Sequence, residues 1–168
     1  MSRRNSAVPE AAAWIRMMTP DDAEPIAALV LASFDEFIAP DYTTEQGVAE
    51  FRRYAEAEAL RRRAEGEHFV MVAEVDGVLA GMIEVRDCNH VALLFVAKAF
   101  HRRGIAAGLL ERGLAEARAR RPDVERVTIN SSRYGVRAYE RMGFRQTGPE
   151  RAVNGIVFIP LAMRLDRG

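Results

Sequence analysis

The sequence predicts a mixed α/β fold: one central sheet of about seven strands, with helices on both faces. Three observations predict it. Strand-like and helix-like apolar spacings follow one another in the order β-α-α-β-β-β-α-β-α-β-β. The chain has 168 residues, 49% of them apolar, which suits one domain with a sizeable core. At its centre, residues 91–110 (VALLFVAKAFHRRGIAAGLL) run from an apolar strand through a basic turn into a helix.

Taken in order, residues 1–13 are polar and alanine-rich and read as a loose tail, and residues 14–168 read as the domain. Residues 14–18 form a first strand. Thr19, Pro20 and an acid at the third position make a helix start. Ile26, Leu29, Val30, Phe34 and Phe37 repeat at helical spacing until Pro40 closes the segment. Thr43 or Thr44 caps a second helical stretch with Val48, Phe51 and Leu60 inward. Arg61, Arg62 and Arg63 near its end read as a solvated terminus favoured by the helix dipole.

Residues 68–75 alternate as a strand, Asp76-Gly77 is a hairpin turn, and residues 78–86 return as the partner. Residues 91–96 are a buried strand. From Gly104 a helix follows, with Ile105, Leu109, Leu110, Leu114 and Ala117 on one face, ending near Arg121-Pro122. Residues 126–130 form the next strand, and Ser132 caps a short helix containing Tyr139. Gly143 is placed to end that helix in the left-handed conformation. Residues 144–147 and 156–165 are the last strands, linked by residues 148–155.

Composition excludes several classes. Formal net charge is zero, which argues against a nucleic-acid binder. Lys98 is the only lysine among 24 basic residues, a compositional bias rather than a functional signal. Cys88 is the single cysteine, so neither an internal disulfide nor a cysteine metal cluster is expected, and no metal site is. No apolar run reaches the length of a membrane span, and the arginines near Met1 precede no apolar segment. The expected location is the cytoplasm, and a homodimer is the expected assembly.

The turn before Gly104 concentrates chemistry. A strand that ends in a basic, glycine-marked turn and opens a helix gathers free backbone N–H groups at the positive end of the helix dipole. That arrangement suits phosphate. The segment is not a P-loop, since Gly-x-x-x-x-Gly-Lys-Ser/Thr is absent, nor a dinucleotide fingerprint, because Gly104 and Gly108 have the wrong spacing.

His101-Arg102-Arg103-Gly104-Ile105-Ala106, after Phe95-Val96, resembles motif A of the GNAT superfamily of N-acetyltransferases, with His101 where that motif carries Gln or Arg. Residues 130–144, from Asn130 through Tyr139-Glu140 to Gly143-Phe144, resemble the family's motif B. The resemblance spans residues 14–165 and is weakest over residues 39–66. It implies a GNAT-like fold with a splay between the fourth and fifth strands, a bulge near Phe95, and acetyl-CoA inserted into the resulting V.

On that resemblance, the backbone from Arg102 to Ala107 holds the pyrophosphate, with arginine charge in support. Phe95, Val96 and Lys98 offer backbone groups to the thioester oxygen and pantetheine. Asn130, Ser132 and Tyr134 lie toward the pantetheine arm, although Asn130 equally suits capping its own turn. Tyr139 matches the family's general acid, where pattern alone makes it a core residue. The base is open between Glu84, His90 and water; Glu84 also suits an ion pair with Arg86. Asp35, Glu36, Asp41 and Tyr42 suggest an acidic rim for a cationic acceptor. The implied activity is acetyl transfer from acetyl-CoA to an amine of a small molecule, peptide or protein. The alternative is a non-catalytic acyl-CoA-binding domain.

Overall fold

The computed structural model describes residues 12–42 and 44–166. The expected tail lies almost wholly outside them, and so does Thr43. The chain opens with β1 (Trp14–Met17). Thr19 and Asp22 form a capping box around a single 3-10 turn, and α1 (Ala23–Ser33) continues from it. Arg16 donates to both Asp22 and Glu74, pinning the entry of α1 to the sheet and holding the Asp22 carboxyl down at about 2. A π-helical turn, Phe34–Ile38, extends α1 and is followed by a 3-10 turn at Ala39–Asp41.

The second helical stretch is two helices. Thr44 caps α2 (Glu45–Tyr54), its hydroxyl accepting from Gly47 N–H at 3.1 Å. Glu56 is extended, and α3 (Ala57–Glu65) starts after it. The break lets Phe51 and Leu60 both reach the sheet. Next come β2 (His68–Val75), β3 (Val78–Arg86) and β4 (His90–Val96). Then follow α4 (Ile105–Arg120), β5 (Arg126–Ser131) and α5 (Val136–Arg141). The chain closes with β6 (Arg145–Gln146), β7 (Arg151–Val153) and β8 (Ile156–Arg164).

The sheet has eight strands in the order β1-β2-β3-β4-β5-β8-β6, with β7 paired to β8. The extra strand comes from the segment read as a link. Asn154 and Gly155 both have positive φ, 53° and 80°, and make the two-residue turn that joins β7 to β8. Gly47 lets that turn touch α2, since a Cβ there would stand 2.0 Å from the Gly155 carbonyl oxygen.

Alternation along β2 sends Phe69, Met71 and Ala73 to one face and Val70 and Val72 to the other. The first face is covered by Leu109, Leu110 and Ala117 of α4; the second by Ile26, Val30, Phe34, Phe51 and Leu60 of α1, α2 and α3. Helices on both faces agree with the expectation.

Candidate active site

β4 and β5 are parallel, and they pair only at His90↔Thr128 and Val91↔Ile129. Beyond Val91 the strands separate, so the β5-facing edge of β4 is left without a strand partner. The bulge lies three residues earlier than expected. Glu84 pairs with Leu93 and Val85 with Val91, which leaves Ala92 as the extra residue. Its position follows from the β3–β4 register, not from Phe95. The gap opens into a cavity of about 980 Å³ that reaches from the turn before α4 to the β7–β8 hairpin.

At one end stands the turn read as a phosphate cradle. Arg102 (φ 63°) and Gly104 (φ 74°) are both left-handed, and Gly104 leads directly into α4. A Cβ on Gly104 would meet nothing within 4 Å, so open space lies before this backbone. Of the residues assigned to the coenzyme, Phe95, Val96, Arg102, Gly104, Ile105, Ala106 and Ala107 line the cavity. Lys98 and Arg103 do not. Lys98 pairs with Glu36, and the Arg103 guanidinium lies over the Phe100 ring. His101 lines the cavity but is also a brace, its Nε2–H donating to the Val96 carbonyl at 2.8 Å. This end suits an acyl-coenzyme A: the α4 N-terminus and Arg102 would hold its phosphates, and the unpaired β4 edge would pair with its amides.

Across the gap lie Asn130 and Ser131 of β5, followed by the loop to α5. Ser132 Oγ accepts from Gly135 N–H at 3.1 Å, so it caps the turn that delivers α5 rather than the helix itself. Asn130, Ser132 and Tyr134 line the cavity. Phe37, from the π-helical turn, stacks on Tyr134 with ring centroids 4.7 Å apart and approaches His101 at 5.6 Å, closing this side. Tyr139 is held edge-on against Phe144 and forms part of the wall. Burial pushes its phenol well above the ordinary value of 10, so it stays protonated at neutral pH.

Of the two base candidates, His90 lines the cavity and Glu84 does not. His90 Nδ1 lies 2.7 Å from Thr128 Oγ1, and the imidazole tautomer decides which of the two donates. In the tautomer with the proton on Nδ1, Nε2 keeps a lone pair. Burial, with the nearby Arg86 charge, lowers the His90 pKa to about 4, so the imidazole is neutral. Glu84 is fully buried and its partner is Arg63, not Arg86: Arg63 Nε and Nη2 donate to the two carboxylate oxygens at 2.7 and 3.0 Å. His68 Nδ1 stands 2.5 Å from the same carboxylate, and the Tyr54 hydroxyl donates to it at 3.4 Å.

Arg63 therefore turns inward, unlike the solvated triplet expected; Arg61 pairs with Glu24 and Arg62 with Glu58. The acidic rim is also neutralised, since Asp35 pairs with Arg52, Glu36 with Lys98, and Asp41 lies 3.7 Å from Arg133. Residues the sequence did not single out for the site supply much of the wall, among them Phe51, Tyr54 and Phe158. Only their apolar character was visible, as core spacing.

The parallel splay, the left-handed turn into a helix and the phenol on the opposite wall define an acyltransferase that draws on coenzyme A. The chain belongs to the acetyltransferase (GNAT) domain family, which it matches over residues 38–165. The fold is shared with a GCN5-related N-acetyltransferase from Rhodopseudomonas palustris (TM-score 0.80, 21% identity, 95% of this chain and 100% of that one). It is shared with the PaiA N-acetyltransferase of Thermoplasma acidophilum in complex with coenzyme A (TM-score 0.71, 19% identity, 92% and 99%). N-acetylglutamate synthase from Neisseria gonorrhoeae, complexed with coenzyme A and N-acetylglutamate, is similar at TM-score 0.69 and 22% identity, covering 95% of this chain and 37% of that one. No curated protein matches the sequence. Among the described residues no helix is long and apolar enough to cross a membrane.

Proposed function

We propose that the protein moves the acetyl group of acetyl-CoA to a primary amine by direct attack in a ternary complex. The observation that carries this reading is the junction of two ends in one cavity. The Arg102–Gly104 turn lies at one end, and the aromatic chamber under α2 and the β7–β8 hairpin lies at the other. The β4–β5 gap joins them.

Each residue then has a task. The turn and α4 N-terminus orient the pyrophosphate. Backbone N–H groups around the Ala92 bulge polarise the thioester oxygen, where negative charge develops on attack. Tyr139 delivers its proton to the departing sulfur. Its raised pKa keeps that proton in place until charge appears there. The amine must attack as the neutral base. His90 Nε2, or water held against it, takes up the proton that the amine releases, and Glu84 stands behind the Tyr54 ring as a structural anion. Thiol release from acetyl-CoA across a panel of primary amines, with mass detection of the N-acetyl product, tests the reading. Thiol release without an acetylated amine would overturn it.

A further inference from the structure

We infer that the acceptor is an amino-carboxylate: an amine with a carboxylate a few ångströms from its nitrogen and an apolar body, its carboxylate held by Arg86. The inference rests on the N-acetyl transfer proposed above and adds the substrate class. The starting observation is the charge of the cavity wall. No Asp or Glu is among the described residues that line it, whereas Arg86, Arg102 and Arg141 are, beside the neutral imidazole of His90. The acids of this neighbourhood have their own cations. Glu84 is gripped by Arg63, Glu36 by Lys98, Asp35 by Arg52, and Glu150 by Arg133.

Such a wall treats a simple cationic amine poorly. An ammonium entering it meets like charge and no carboxylate to replace its lost water. An acceptor that brings its own anion reverses that balance. The same positive field lowers the pKa of the bound amine, which favours the neutral nucleophile. A wall without a carboxylate base is therefore consistent with amine chemistry, provided that the substrate supplies the negative charge.

Arg86 is the cation placed for the task. Arg102 stands in the turn at the phosphate end, and Arg141 ends α5 on the surface. Arg86 pairs across the β3–β4 ladder with His90, and its charge acts on both His90 and Tyr54, which line the cavity. Among the described residues its ion-pair partner is Asp87, 3.8 Å away with both side chains about half exposed, so the guanidinium fork is not committed. Ala92, where the β4 backbone is freed, is two residues from His90, or about 7 Å along the strand. A carboxylate on Arg86 thus leaves a nearby amine within reach of the thioester, a span that suits an α- or β-amino acid. Phe51, Tyr54 and Phe158 supply an apolar surface for the side chain.

The test uses matched pairs: leucine against isoamylamine, and phenylalanine against phenethylamine. kcat/KM is measured for the intact protein and for Arg86→Gln. The expected result is a preference of roughly tenfold or more for the amino acid, the scale of one charge-assisted hydrogen-bond pair, collapsing toward unity in R86Q. A preference for the decarboxylated amines overturns the inference and leaves N-acetyl transfer standing. A carboxylate preference that survives R86Q overturns the assignment to Arg86. If no amine of either type is acetylated while CoA still raises the melting temperature, N-acetyl transfer itself falls, and this inference with it.

Discussion

Arg63 holds both carboxylate oxygens of Glu84 while its Nη1 donates to the Tyr54 carbonyl at 2.7 Å and its guanidinium stacks 3.6 Å above the Tyr54 ring. One side chain thereby fastens α3 to α2 and both to β3, beside the part of the cavity that Tyr54 lines.

Because Glu84 is fully buried, removing Arg63 takes away its guanidinium and leaves the carboxylate only His68 and the Tyr54 hydroxyl. Arg63→Ala is expected to cost about 3–5 kcal/mol of unfolding free energy. Chemical denaturation at neutral pH measures it. A loss within the range of an exposed surface pair would show that Arg63 is not an anchor.

Glu84→Gln separates anchoring from base catalysis. As an anchor, Glu84 lowers the melting temperature when replaced, and kcat at a temperature where the variant is folded changes little. A variant of wild-type stability with kcat reduced by orders of magnitude would restore Glu84 as the base.

Tyr139→Phe retains the packing against Phe144 and removes only the proton. The expected result is a fall in kcat of roughly 10²-fold, with CoA affinity and melting temperature nearly unchanged. Steady-state kinetics beside a thermal-shift titration make the comparison. An unchanged kcat, with chemistry shown to limit the rate, would reduce Tyr139 to a wall residue.

Gly104→Val has two separable effects. The left-handed φ of 74° strains a branched residue, which lowers stability by about 1–2 kcal/mol. The new side chain also occupies the open space before the cradle. CoA in large excess should stabilise the wild type by roughly 3 kcal/mol and the variant not at all. Equal thermal shifts in the two proteins would displace the phosphates from this turn.

His90 makes stability depend on pH. Its folded pKa of about 4 lies below the ordinary 6.5, chiefly through burial, so the unfolded chain binds the proton more readily. The contribution of the neutral imidazole is complete above about 6.5 and is lost as pH falls toward 4. Denaturant midpoints across this window should decline less steeply in His90→Gln than in the wild type. Parallel curves would remove His90 as the cause.

Local signals were legible in the sequence, and contacts between distant segments were not. The strand, basic turn and helix of residues 91–110 are contiguous, so the turn into α4 at Gly104 could be read directly. The place of Tyr139 in the cavity wall was legible through its motif, since spacing alone makes it core. Arg63 and Glu84 are 21 residues apart on different elements, and nothing in an arginine triplet says which member turns inward. The bulge at Ala92 depends on how two strands register, which apolar alternation does not specify. Asn154-Gly155 is a strong turn signal, but the strand before it is three exposed residues with no alternation to mark them.

Two shared register pairs between β4 and β5 mean that the sheet is two panels joined along a short seam. The panel of β1 to β4 has its own helical cover, and β5, β8 and β6 form the other. A ligand arm lying along the free edge of β4 would supply the backbone partners that β5 withholds and so work as a temporary strand across the seam. Occupancy of the gap would then bind the two panels to each other as well as hold the ligand.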